Sequence, residues 1–91
     1  MPRYVIERTL PGAGNLTPEQ LKAIAQTSNR TNANLGSQIQ WKQSYVVGDK
    51  IYCDWVAPSE EIVREHARQA GFPCDSVKEV KSLLGPETAE S

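Results

Sequence analysis

Two β-rich runs, Ile39 to Val47 and Lys50 to Ala57, are separated by Gly48-Asp49 alone, and no other stretch constrains the fold as much. So short a connection can only reverse the chain, so the runs pair as an antiparallel hairpin, and glycine at the first turn position suits a type II′ turn. Counting outward from the turn pairs Val47 with Lys50, Tyr45 with Tyr52, Ser44 with Cys53 and Gln43 with Asp54. Strand alternation then sorts the side chains. One face carries Trp41, Gln43, Tyr45, Tyr52, Asp54 and Val56; the other carries Ser44, Val46, Ile51, Cys53 and Trp55. Both faces are partly apolar.

The flanking segments supply the remaining elements. Arg3 to Leu10 is rich in β-formers and ends at Pro11-Gly12, which reads as a first strand closed by a turn. Thr17, Pro18 and Gln20 form a Thr-x-x-Gln capping box with proline at the first helical position, and Leu16 and Leu21 staple across it. Leu21, Ile24, Ala25 and Ser28 follow as the buried stripe of that helix, which is expected to fade between Asn29 and Gly36. Ser59 caps a second helix, Glu60 and Glu61 sit at the positive end of its dipole, and Gly71 closes it. Its inward stripe is Ile62, Val63, His66, Ala67 and Ala70. Ser76 to Leu84 reads as a last strand, and residues 85–91 as a flexible polar tail.

The order strand, helix, strand, strand, helix, strand predicts an α+β, ferredoxin-like βαββαβ domain over residues 1–84, with both helices on one face of a four-stranded antiparallel sheet. The second sheet face then needs a cover. Apolar and aromatic side chains on both sides of the hairpin favour pairing of two sheets face to face, so a homodimer is expected.

The chain of 91 residues carries ten Lys plus Arg against eleven Asp plus Glu, spread along its length, which leaves no basic footprint for nucleic acid. No apolar run approaches the ~20 residues of a membrane helix, and a cytoplasmic location is expected. In that compartment Cys53 and Cys74 remain thiols.

Chemistry can sit in three places. Cys53 and His66, the single histidine, both face the layer between helix and sheet, and thiolate with imidazole suits nickel, zinc or copper, although two ligands make an incomplete site. Cys74 joins them only if the loop at Gly71-Phe72-Pro73 folds back. Buried in a core, the same two side chains can also be purely structural. Gln43, Tyr45, Tyr52 and Asp54, with Glu7 and Glu79 as contributors from outer strands, could line a small-molecule pocket between the sheet and a partner. Met1-Pro2 directly before a strand would give a proline general base if the methionine is removed, but the tight hairpin differs from the crossover-joined strands of the tautomerases that use this device. Whether the chain is an enzyme is left open by these residues.

Several local patterns point to a family: Pro2-Arg3-Tyr4 with Glu7-Arg8, Trp41 with Ser44-Tyr45-Val46, Tyr52-Cys53, Ala57-Pro58-Ser59, His66-Ala67-Arg68, and Gly71-Phe72-Pro73. From about Pro2 to Leu83 the chain resembles the small bacterial nickel-binding, ferredoxin-like family, most of whose members have no assigned function. The resemblance implies a dimeric α+β barrel and binding of nickel or a related divalent metal, for sequestration or sensing rather than catalysis. Cys53 and His66 are the matching positions with metal-binding chemistry. Some relatives place a histidine two positions after the tryptophan, where this chain has Gln43, and a neutral amide is a poorer nickel ligand than imidazole. The alternative expectation is a dimeric α+β-barrel enzyme or small-molecule binder.

Overall fold

The structure is a computed structural model and describes residues 1–36 and 38–90. Its sheet has four strands, β1 (Arg3–Thr9), β2 (Gln40–Val47), β3 (Lys50–Val56) and β4 (Ser76–Glu79), in the order β2-β3-β1-β4 with every neighbouring pair antiparallel. Helices α1 (Pro18–Asn34) and α2 (Glu60–Ala70) are the connections after β1 and β3, which is the expected ferredoxin-like arrangement. Among the described residues no helix is long and apolar enough to cross a membrane.

Local chemistry sets the helix ends. Thr17 Oγ1 accepts from the Gln20 backbone N–H while Gln20 Oε1 accepts from the Thr17 N–H, so the capping box is closed in both directions. Helix α1 does not fade at Asn29 but runs to Asn34; its polar last turns keep Asn29 and Arg30 toward solvent, and buried Thr31 satisfies its hydroxyl by donating to the Thr27 carbonyl. Helix α2 starts at Ser59, whose hydroxyl accepts from the Ile62 N–H. It ends at Gly71, where φ of +77° permits the Phe72 N–H to reach the Ala67 carbonyl and the Gly71 N–H to reach that of Arg68. That pattern is a Schellman motif, and it turns Phe72 and Pro73 back over the sheet.

The hairpin register follows the expected pairing from Val47↔Lys50 to Gln43↔Asp54, and Gly48 at the turn has φ of +44°. One assignment changes. A bulge between Trp41 and Gln43 makes Trp41 oppose Trp55, so Trp41 moves from the expected face of Gln43 and Tyr45 to the helix-covered face of Ser44 and Cys53. The extra residue reverses alternation at that point, and stacking of the two indoles, with centroids 6.0 Å apart, buries apolar area that the outer face would leave wet. The last strand is also shorter than its β-rich sequence: pairing stops at Glu79, with one further bond from the Val80 N–H to the Arg3 carbonyl, because β1 has no residues left to offer beyond Arg3. Pro86–Glu90 winds into an exposed 3₁₀ turn.

The core lies between the helices and one sheet face. Tyr4 and Ile6 of β1, Ile51, Cys53 and Trp55 of β3, and Val63 and Ala67 of α2 are all buried there. On the opposite face Val5 and Tyr45 are 41% and 56% exposed, with Val80 and Leu83 bordering the same shallow depression.

Candidate functional site

Alternation on β1 sends Tyr4, Ile6 and Arg8 to the core side, so a guanidinium takes the third inward position where an apolar side chain would ordinarily stand. Arg8 is only 4% exposed. Its Nε donates to Cys53 Sγ at 3.4 Å and its Nη1 to the Pro73 carbonyl at 2.6 Å, while the guanidinium carbon lies 5.8 Å from the centre of the Phe72 ring. The register places Ile6 opposite Cys53 and Arg8 opposite Ile51, which makes Arg8 and Cys53 diagonal neighbours on one face. Arg8 is absent from the sequence-derived site residues, although the inward alternation of β1 was a signal that could have found it.

Cys53 is held from the other side as well. Ser44 donates to its sulfur at 3.0 Å and in turn accepts from the Trp41 indole N–H at 2.9 Å, a relay that exists only because the bulge brings Trp41 onto this face. Cys53 and Cys74 are both free thiols.

His66 projects from α2 into the core, packed against Trp55 at 4.6 Å and Phe72 at 6.2 Å between ring centres. Its Nε2 faces the Ser28 carbonyl at 3.4 Å and the Ser28 hydroxyl at 3.3 Å. A carbonyl can only accept, so this contact favours the tautomer with its proton on Nε2, which leaves a lone pair on Nδ1. Nδ1 is buried and has no hydrogen-bond partner among the described residues. Burial is the main force that holds the imidazole pKa below its ordinary value; the bond to Ser28 opposes the shift and the positive charge of Arg8 adds to it. The ring is therefore neutral at pH 7.

These donors fit a borderline ion in kind but not in number. Cys53 and His66 each meet other partners, and no group of three or more His, Cys, Asp or Glu side chains is placed to hold a metal among the described residues. Nickel and zinc take four or more ligands. The Arg8 cation against the sulfur also opposes a second positive charge there.

The second expected constellation lies on the uncovered sheet face, where most of its polar groups satisfy one another. Arg3 clasps Asp54 through Nε at 2.8 Å and Nη2 at 2.5 Å, and hydrogen bonding to that guanidinium holds the carboxylate below its usual pKa. Lys50 pairs with Glu7, and Gln43 donates to the Tyr45 hydroxyl at 2.7 Å. Tyr45, Tyr52 and Asp54 border a depression of about 150 Å³, which Gln43 and Glu7 do not reach. Glu79 sits on the edge strand beside Lys81.

A larger cavity, about 490 Å³, opens on the other side, beneath α1. Leu21, Ile24, Ala25 and Ser28 of α1 form its roof, and Arg8, Cys53, Trp41 and Trp55 are in its floor. The α1 stripe inferred from periodicity thus faces a cavity rather than closing directly on the sheet.

Comparison with known proteins agrees with this geometry at the level of fold and family. The family described as nickel responsive protein SCO4226-like matches residues 4–80. The crystal structure of SCO4226 from Streptomyces coelicolor A3(2) superposes with a TM-score of 0.75 at 21% identity, over 90% of this chain and 99% of that one. No curated protein matches the sequence significantly.

Proposed function

The chain belongs to the nickel-responsive SCO4226-like family, and on that premise we propose that it is a cytoplasmic homodimer that takes up nickel or a related divalent ion, sequestering or sensing it without turning over a substrate. The observation that carries this is the buried lone pair on His66 Nδ1: a neutral imidazole acceptor, packed among aromatic rings, with no group among the described residues to satisfy it. A buried polar atom without a partner is costly, and a metal ion is one of the few species that rewards it. Cys53 supplies a softer donor in the same helix–sheet layer. Both together are short of a full set, so solvent entering the cavity that Cys53 lines must supply the further ligands.

Support for the dimer comes from the uncovered sheet face. Val5, Tyr45 and Val47 are exposed there beside the paired charges, an amphipathic surface suited to a second sheet. The alternative, an enzyme or small-molecule site between that face and the partner, has less behind it, because its carboxylates already have cations.

Titration of metal-stripped, tag-free protein with Ni²⁺ tests the metal reading. Saturable binding that His66→Ala and Cys53→Ser both weaken is expected; saturable binding unchanged in both variants removes these ligands, and no binding at all removes the function. Sedimentation equilibrium at micromolar concentration tests assembly, where a lone protomer counts against the dimer.

A further inference from the structure

We propose that the cavity beneath α1 is a binding site for a small hydrophobic carboxylate, with the Arg8 guanidinium as its anion receptor. Arg8 is more than nine-tenths buried, yet only Nε and one N–H of Nη1 are engaged, by a sulfur and a carbonyl, and no acidic side chain pairs with it among the described residues. A buried permanent cation without a counter-charge is among the costliest groups a fold can carry. The chain has eleven carboxylate side chains and uses several of them in ion pairs on the outer sheet face and along α2, none at Arg8. The end of the guanidinium fork, Nη2 with the remaining Nη1 proton, keeps the geometry that matches a carboxylate in two parallel hydrogen bonds.

The rest of the cavity defines the body of the ligand. Its volume of about 490 Å³ lies within the range of small-molecule sites. The apolar stripe of α1 is incompletely buried over it, with Leu21 38% exposed, so an apolar occupant would remove surface from water that the fold itself leaves wet. Trp41, Trp55 and Phe72 supply flat aromatic walls, and the first two are fixed in a stack 18° from parallel. Among the described residues Arg8 is the single charged one lining the space, so one negative charge is matched and a phosphate dianion is not. A ring-bearing monocarboxylate meets all of these conditions.

This assignment does not depend on nickel, and the test is run with a chelator present so that the two can fail separately. Binding of phenylacetate and indole-3-acetate to the full-length protein is measured by calorimetry beside phenylacetamide and inorganic phosphate. One or both acids should bind saturably, about tenfold or more above the amide and above phosphate. Arg8→Met should weaken the acid by a similar factor and leave the amide unchanged, and Ala25→Trp, which fills the cavity without touching the cation, should abolish binding of both. If Arg8→Met does not fold, Arg8→Lys keeps the charge but loses the fork, and reduced acid affinity is again expected. Equal affinity for acid and amide overturns the role of Arg8, phosphate binding as tight as the acids overturns the apolar body, and no binding of either acid at millimolar concentration overturns the site.

Discussion

The two faces of the sheet treat charge in opposite ways. On the outer face, Arg3 with Asp54 and Lys50 with Glu7 set two strand cations against carboxylates in partial contact with water. On the helix side, Arg8 and His66 lie buried with a thiol, carbonyls and aromatic rings around them and, among the described residues, no carboxylate paired with either. Exposed pairs contribute little to stability because water and salt screen them, whereas an uncompensated buried cation perturbs everything near it. Polar content therefore marks a self-sufficient surface on one side of the sheet and a demanding interior on the other.

The largest difference between the faces should appear in packing. Ile6→Ala removes a fully buried side chain and should lower unfolding free energy by roughly 2 to 5 kcal/mol, whereas Val5→Ala one position away should cost well under that in the isolated protomer. Urea titration of both variants checks this, and comparable losses would mean that the outer face is buried in the native assembly.

Acid provides the next contrast. The native pKa of His66 is lowered, so below about 6.5 the unfolded chain takes up a proton that the native chain resists, and stability present above that pH is lost as pH falls. Asp54 is also lowered, but its contribution is intact until pH drops below about 4. Urea midpoints should accordingly decline between pH 7 and 5 through the inner face and steepen below pH 4 through the outer one. A flat profile down to pH 4.5, or an imidazole that titrates normally by NMR, would erase the distinction.

Smaller effects sharpen it. Thr17→Ala opens the capping box at the end of α1 and should cost about 1 kcal/mol in urea unfolding. Lys50→Gln breaks an outer ion pair, and its effect on the thermal midpoint should be slight and vanish in high salt. A large, salt-resistant loss would place that pair out of water.

Much of the fold was legible because its signals are local. The Gly48-Asp49 turn, the Thr17 box, Ser59 and Gly71 each act through the chain within a few residues, and each marks an element end in the structure. The face of Trp41 was not legible, since a bulge breaks the period-two rule that alternation assumes, and the reason to break it, the Trp55 ring, comes from the opposing strand. The end of β4 was set by where β1 begins, a fact of pairing rather than of the β-rich residues after Glu79. Cys53 and His66 were placed in the right layer by phase, but their partners Arg8, Ser44 and Ser28 come from three different elements, and neither spacing nor composition brings those together.

The Trp41 bulge has a practical corollary for engineering. Because the turn-side half of β2 takes its register from the hairpin and the extra residue is absorbed at position 42, deleting Lys42 would leave a regular ladder in which Trp41 still opposes Trp55 and Ser44 and Val46 keep their seats. A single-codon deletion would thus straighten the strand while sparing the inner wall it contributes.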